Sequence, residues 1–138
     1  MDRELLYREK MKQLFGDADS SLFTADPEFA EILNKFVFGE VYNHGKLTDK
    51  ERILITLCAL TAGGIFKNFK RYIKAGLNTG LSPEDIKEAL YQCAPYTGFP
   101  KALKAIHKAL SATELIILGS PFVPLYKILI ARVVKTGS

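Results

Sequence analysis

Leu47-Thr48-Asp49-Lys50-Glu51-Arg52 runs directly into Ile53-Leu54-Ile55-Thr56-Leu57-Cys58-Ala59-Leu60. The stretch it opens closes at Gln92-Cys93-Ala94-Pro95-Tyr96-Thr97-Gly98-Phe99-Pro100. Thr48 with Glu51 three residues on has the spacing of a capping box, in which a hydroxyl and a carboxylate satisfy the free N–H groups of a helix start. The residues after Glu51 are apolar on nearly every side, which predicts a helix over 49–62 buried on most of its faces. Gly63-Gly64 stops it. A small domain has room for one such helix, with the other segments packed around it.

Working outward, 67–78 reads as a further helix with Phe66, Phe69, Ile73 and Leu77 inward and Lys67, Lys70, Arg71 and Lys74 outward. Gly80 is a left-handed stop. Ser82-Pro83-Glu84-Asp85 restarts the helix with a cap, a proline at the first position and acids in the first turn, where the helix dipole favours them. Ile86, Ala89, Leu90 and Cys93 make its core stripe, and Pro95 is expected to end it. Pro100 opens a helix to about Leu110, lined by Leu103, Ile106 and Leu110. Toward the N-terminus, 2–15 is an amphipathic helix with Tyr7, Met11 and Leu14 on one stripe and Leu6 beside it. Gly16-Asp17-Ala18-Asp19-Ser20 breaks it. Asp26-Pro27 starts the next helix, with Phe29, Ile32, Leu33 and Phe36 as its apolar face. No stretch alternates as a strand must, so the expected fold is all-α, about six to eight helices.

The length of 138 residues fits one domain with a real core, and 48% hydrophobic with 25% charged residues is ordinary for a soluble globular protein. The start, Met1-Asp2-Arg3-Glu4, has no apolar run behind it and so no cleavable signal pattern. Cys58 and Cys93 sit in apolar helical settings rather than a disulfide framework; they read as small buried hydrophobes in a reducing, cytoplasmic protein. The net charge of +4 is uneven: from Lys101 onward the chain carries +5. A basic end favours phosphates or anionic lipid. With no consecutive basic run, however, the residues read as a solvated face, with no nucleic-acid partner. The tail, 113–138, is read as an apolar basic extension beyond a 1–112 domain. A turn at Gly119-Ser120-Pro121 and an apolar helix over 125–134 would pack on the core or on another subunit. Its breaks and charges count against a membrane span; contact with a membrane surface, which the basic charge would favour, is the weaker third option.

The connector Glu40-Val41-Tyr42-Asn43-His44-Gly45 places polar side chains between two strong helices, where sites tend to lie; a plain turn is the rival reading. Phe38-Gly39-Glu40-Val41-Tyr42, Leu47-Thr48-x-Lys50-Glu51-Arg52-x-Leu54-Ile55-Thr56-Leu57, Lys70-x-x-Ile73-x-x-x-Leu77-Asn78-x-Gly80-Leu81-Ser82-x-Glu84-Asp85-Ile86 and Tyr96-x-Gly98-Phe99-Pro100-x-Ala102, in this order and spacing, resemble the carboxymuconolactone decarboxylase family over roughly residues 28–110. The resemblance implies an all-helical subunit of the alkylhydroperoxidase-D-like superfamily, assembled with itself as a trimer or hexamer. It also implies one of two chemistries. The first is decarboxylation of a lactone acid without a cofactor. The second is peroxide reduction through a Cys-x-x-Cys pair followed by a His.

The thiol pair of the second branch would fall near Gly63-Gly64-Ile65-Phe66, where there is no cysteine. The first branch usually has a His in the helix where Tyr72 stands here. Decarboxylation leaves an electron pair that must be delocalised and then protonated, so it needs a hydrogen-bond donor and a proton source of matched pKa. Histidine titrates near neutrality, whereas an unperturbed tyrosine titrates near ~10. His44 is the candidate for the missing imidazole, or else an ordinary loop His. Glu51 is either a general acid/base or only a helix cap. Glu40 is a pocket carboxylate or a solvated residue, and Tyr72 and Tyr96 are pocket hydroxyls or packing groups. His107 reads as a satisfied, partly buried His. No metal-ligand spacing, phosphate loop or nucleophilic triad order occurs.

The sequence therefore points to a cytoplasmic homo-oligomer. It would hold a small organic acid or lactone in a pocket of Glu40, His44, Glu51, Tyr72 and Tyr96, with no cofactor. A non-catalytic oligomeric scaffold of the same fold is the alternative.

Overall fold

The structure is a computed structural model that describes residues 2–16 and 26–118; the tail helix expected over 125–134 lies outside them. Within them every element is helical and there is no strand. The elements are α1 (Arg3–Phe15), α2 (Pro27–Asn34), a π-helical turn (Lys35–Glu40), a 3-10 turn (Val41–Asn43), α3 (Asp49–Gly63), α4 (Phe69–Asn78), α5 (Pro83–Thr97) and α6 (Phe99–Leu118). The fold is all-α, as the periodicity predicts. No helix among the described residues is long and apolar enough to cross a membrane.

The starts lie where the caps put them. Asp26 accepts from the N–H groups of Glu28 (3.0 Å) and Phe29 (3.2 Å), with Pro27 at the first position. Ser82 and Asp85 form a complete capping box, at 3.0 Å and 2.9 Å. Asp85 is held below the usual carboxylate range mainly by the Ser82 N–H it accepts from. Ser82→Ala removes the hydroxyl half of this box and is expected to cost about 1 kcal/mol, read as a lower midpoint in thermal denaturation. At the other end of α4, Gly80 has φ +97° and the N–H of Leu81 reaches back to the carbonyl of Gly76 at 3.0 Å, so the helix closes with Leu81 tucked into the core.

The core joins Tyr7, Met11, Leu14 and Phe15 of α1 to Phe38, Tyr42, Ile53, Leu57, Phe69, Ile73, Ile86 and Leu90. Rings meet edge-on within it, Phe15 with Phe38 at 5.5 Å and with Tyr72 at 5.7 Å between centroids. Gly39 lets the π turn lie against α1, because a Cβ there would stand 3.0 Å from the Arg3 carbonyl oxygen.

Several expectations are corrected. Among the described residues α3 buries one face, through Ile53, Leu57 and Thr61, and Ile55 remains 55% exposed. The stripe Phe29, Ile32 and Phe36 faces outward, and α2 buries Ala30 and Asn34 instead. On α6 the buried face is Ala102, Ala105, Ala109 and Ala112, while Leu103 and Leu110 are exposed. Small side chains let that helix approach its neighbours closely, so the leucines are left outside. His107 is exposed. Pro95 does not end α5, which runs on to Thr97. Its missing N–H would have bonded the carbonyl of residue 91, one turn back, and Tyr91 is exposed. α6 extends past Leu110 to Leu118.

Candidate functional site

The site begins at the first turn of α3. Thr48 is the N-cap, its hydroxyl accepting from the Glu51 N–H at 3.2 Å. The same hydroxyl donates to Glu51 Oε1 at 2.9 Å. Glu51 therefore takes part in capping, and its side chain is otherwise exposed on the outer flank of α3.

Arg52, the next residue, was not singled out by sequence reasoning, yet it organises the connector. Its Nε donates to the Leu47 carbonyl at 3.1 Å, its Nη1 to the Val41 carbonyl at 2.8 Å and its Nη2 to the His44 carbonyl. One planar guanidinium thus gathers three carbonyls of one loop, which suits its fixed fork of donors. The bond to residue 44 is through the backbone, so the imidazole of His44 is left exposed. Asn43 fastens the other side of the loop, donating to the Phe38 carbonyl at 2.7 Å.

Beside this clamp runs a buried hydroxyl chain. Thr56 Oγ1 donates to the Arg52 carbonyl at 2.8 Å and lies 2.7 Å from the Tyr42 hydroxyl, which is left to act as the donor to it. Burial raises the Tyr42 hydroxyl above the ordinary tyrosine range, partly offset by the Thr56 bond. Tyr72 is only 9% exposed, and burial, with Tyr42 nearby, pushes it strongly upward as well. A phenol so placed stays protonated, so it can donate or accept a hydrogen bond but does not shuttle a proton.

The five residues named from the sequence are not enclosed together in one pocket. Glu40 is exposed at the end of the π turn, paired with Arg3 Nε at 2.6 Å. His44 and Glu51 are brought to the same end of α3 through the Arg52 clamp. Tyr72 lies in the core on the Thr56 side, and by about 100° per residue Thr56 is ~140° around the helix from Glu51. Tyr96 is 83% exposed near the end of α5. The junction that follows it packs at the far end of α3, where Lys101 donates to the Ala62 carbonyl at 3.1 Å. From Glu51 to Ala62 the helix rises about 16 Å.

A cleft of about 530 Å³ opens beside the first turn of α3, lined by Gln13, Thr48, Asp49, Lys50, Asn78 and Thr79. Its wall is fixed by Lys10, which reaches Asp49 at 2.9 Å and 3.2 Å. None of the five candidate residues lines it. Among the described residues no cluster of three or more His, Cys, Asp or Glu side chains is arranged to hold a metal ion.

The motifs that carried the resemblance all lie on this frame, and a family model, described as the carboxymuconolactone decarboxylase family, matches residues 27–110. The chain belongs to that family. The match runs from the start of α2 through most of α6 and contains all five candidate residues, Arg52 and both cysteines; α1 lies outside it. Among curated proteins, the 4-carboxymuconolactone decarboxylase of Acinetobacter baylyi is similar at 29% identity over 82 residues, which is 59% of this chain and 61% of that protein. The chain thus matches less than two thirds of that decarboxylase's length. What the match establishes is membership of the family over residues 27–110, the stretch that holds α2 to α5 and most of α6. At position 72, where the resemblance leads one to expect a histidine, the side chain is a buried phenol.

Proposed function

We propose that the protein is a decarboxylase-like enzyme that works without a cofactor on a small lactone or organic acid, at the first turn of α3. The observation that carries the reading is the Arg52 clamp, which ties the loop bearing His44 to the turn bearing Glu51. In the reaction the bond between the carboxylate carbon and its neighbour breaks. The electron pair passes into an adjacent carbonyl as an enolate, carbon dioxide leaves, and the carbon is then protonated. Glu51 and His44 are the groups placed to handle that proton, and Tyr72 supports the loop from the core.

In one subunit this surface is open to water, with Val41 and Leu47 as apolar neighbours in solvent. A reactive enolate has to be kept from water. We infer that a second copy of the chain covers this face, in a trimeric or hexameric assembly. Tyr96, at the far end of α3, would line the same pocket only from that second copy, and Glu40 would sit at its edge.

The second reading is a non-catalytic oligomeric scaffold, and the Thr48–Glu51 bond favours it, because a cap alone accounts for that carboxylate. Carbon dioxide release from carboxymuconolactone and a panel of small lactone and β-keto acids separates the two. Turnover of one acid well above the uncatalysed rate is the expected result. No turnover of any acid by the folded, assembled protein would assign it to the scaffold class.

A further inference from the structure

The sequence places Cys58 and Cys93 on different helices, and the fold brings them together. Cys58 points from α3 toward α5, where its thiol donates to the Ala89 carbonyl at 3.8 Å. Cys93 lies one turn beyond Ala89 on α5 and is buried, so the Cys58 thiol, held at Ala89, faces the stretch of α5 that carries Cys93. They are the chain's only cysteines, and both are free. The pair is also asymmetric, because Cys58 keeps some exposure while Cys93 is covered.

We propose that Cys58 and Cys93 form a reversible disulfide that staples α3 to α5, with a low-molecular-weight disulfide as the oxidant. The Cys58 thiolate attacks one sulfur of the small disulfide, whose S–S bond breaks and releases one small thiolate. The Cys93 thiolate then attacks Cys58 in the mixed disulfide, forming the protein S–S bond and expelling the second small thiolate. Two protein thiols are oxidised, one small disulfide is reduced to two thiols, and the thiolates take up the protons the cysteines gave. Two cysteines on facing turns of packed helices need little backbone movement to meet disulfide geometry.

Burial first, and then the Cys93 thiol, push Cys58 above the ordinary thiol range. Reduced Cys58 therefore rests protonated and reacts slowly. That suits a staple set by sustained oxidising conditions and does not suit a peroxide-reducing centre, which needs a ready thiolate.

The test incubates the full-length native protein with oxidised glutathione, followed by intact mass, peptide mapping and thermal denaturation. The expected product has lost two hydrogens, joins the peptides of Cys58 and Cys93, and melts roughly 10 °C higher than the reduced protein, because the cross-link closes a long loop. Dithiothreitol reverses all three changes. In Cys93→Ser the reaction stops at a glutathione adduct on Cys58. In Cys58→Ser the covered Cys93 stays reduced over the same period. Cys→Ala variants replace any serine variant that does not fold. Two free thiols after oxidation, two separate glutathione adducts, disulfides only between molecules, or a cross-linked protein that melts no higher would each overturn the proposal.

Discussion

Arg52→Ala is expected to lower stability by about 2–4 kcal/mol, since each hydrogen bond from a charged donor contributes about 1.5–3 kcal/mol and this one is partly solvated. The loss falls on one loop. The carbonyls of Val41, His44 and Leu47 all lose their shared donor. Hydrogen exchange at the amides of residues 41–47 speeds up well beyond the rest of the chain, and the thermal midpoint drops. Arg52→Lys recovers less than half of this, because a single ammonium cannot reach three carbonyls in the directions the guanidinium fork does. If the proposed chemistry lies here, Arg52→Ala also lowers turnover, with Glu51 and His44 unaltered. Lysine equal to arginine in exchange and midpoint would show that the charge alone, without the fork, holds the loop.

Glu51→Gln separates catalysis from capping. Glutamine serves at this position of a capping box as glutamate does, and its amide oxygen can still accept from the Thr48 hydroxyl that now reaches Oε1 at 2.9 Å. Stability is expected to stay within about 0.5 kcal/mol of the parent, as for most surface substitutions. Turnover is expected to fall about 100- to 10,000-fold, the usual contribution of a positioned proton-transfer group. A cap-only role predicts the reverse pairing, in which glutamine leaves turnover unchanged.

Much of the frame is legible in the chain. Asp26-Pro27, Thr48 with Glu51 and Ser82-Pro83 mark helix starts, and Gly64 and Gly80 mark ends, because caps and left-handed stops are local devices. What covers a face is not local. The stripe of Phe29, Ile32 and Phe36 has the right period for a core face but is exposed. On α6 the alanines rather than the leucines are buried, because close packing of helices selects for size as much as for apolarity. Nothing in Lys35–Glu40 announces a π-helical turn.

The candidate site was legible in part. Glu51 and His44 could be named from type and place. Arg52 could not, because its partners are carbonyls, which leave no mark on sequence. Tyr72 has the residue type of a pocket hydroxyl, but its burial follows from contacts with α1, more than fifty residues away in sequence. The meeting of Cys58 with Cys93 depends in the same way on how α3 lies against α5.

The measurement closest to the central claim is carbon dioxide release by wild type, Glu51→Gln and His44→Ala on the acid that the wild type turns over fastest. His44→Ala is a clean change, because Arg52 binds the carbonyl of that residue and not its ring, so the loop stays clamped. Both variants are expected to remain folded like the parent, and both to lose turnover by at least tenfold. Undiminished turnover in both would contradict a proton-handling site at the first turn of α3.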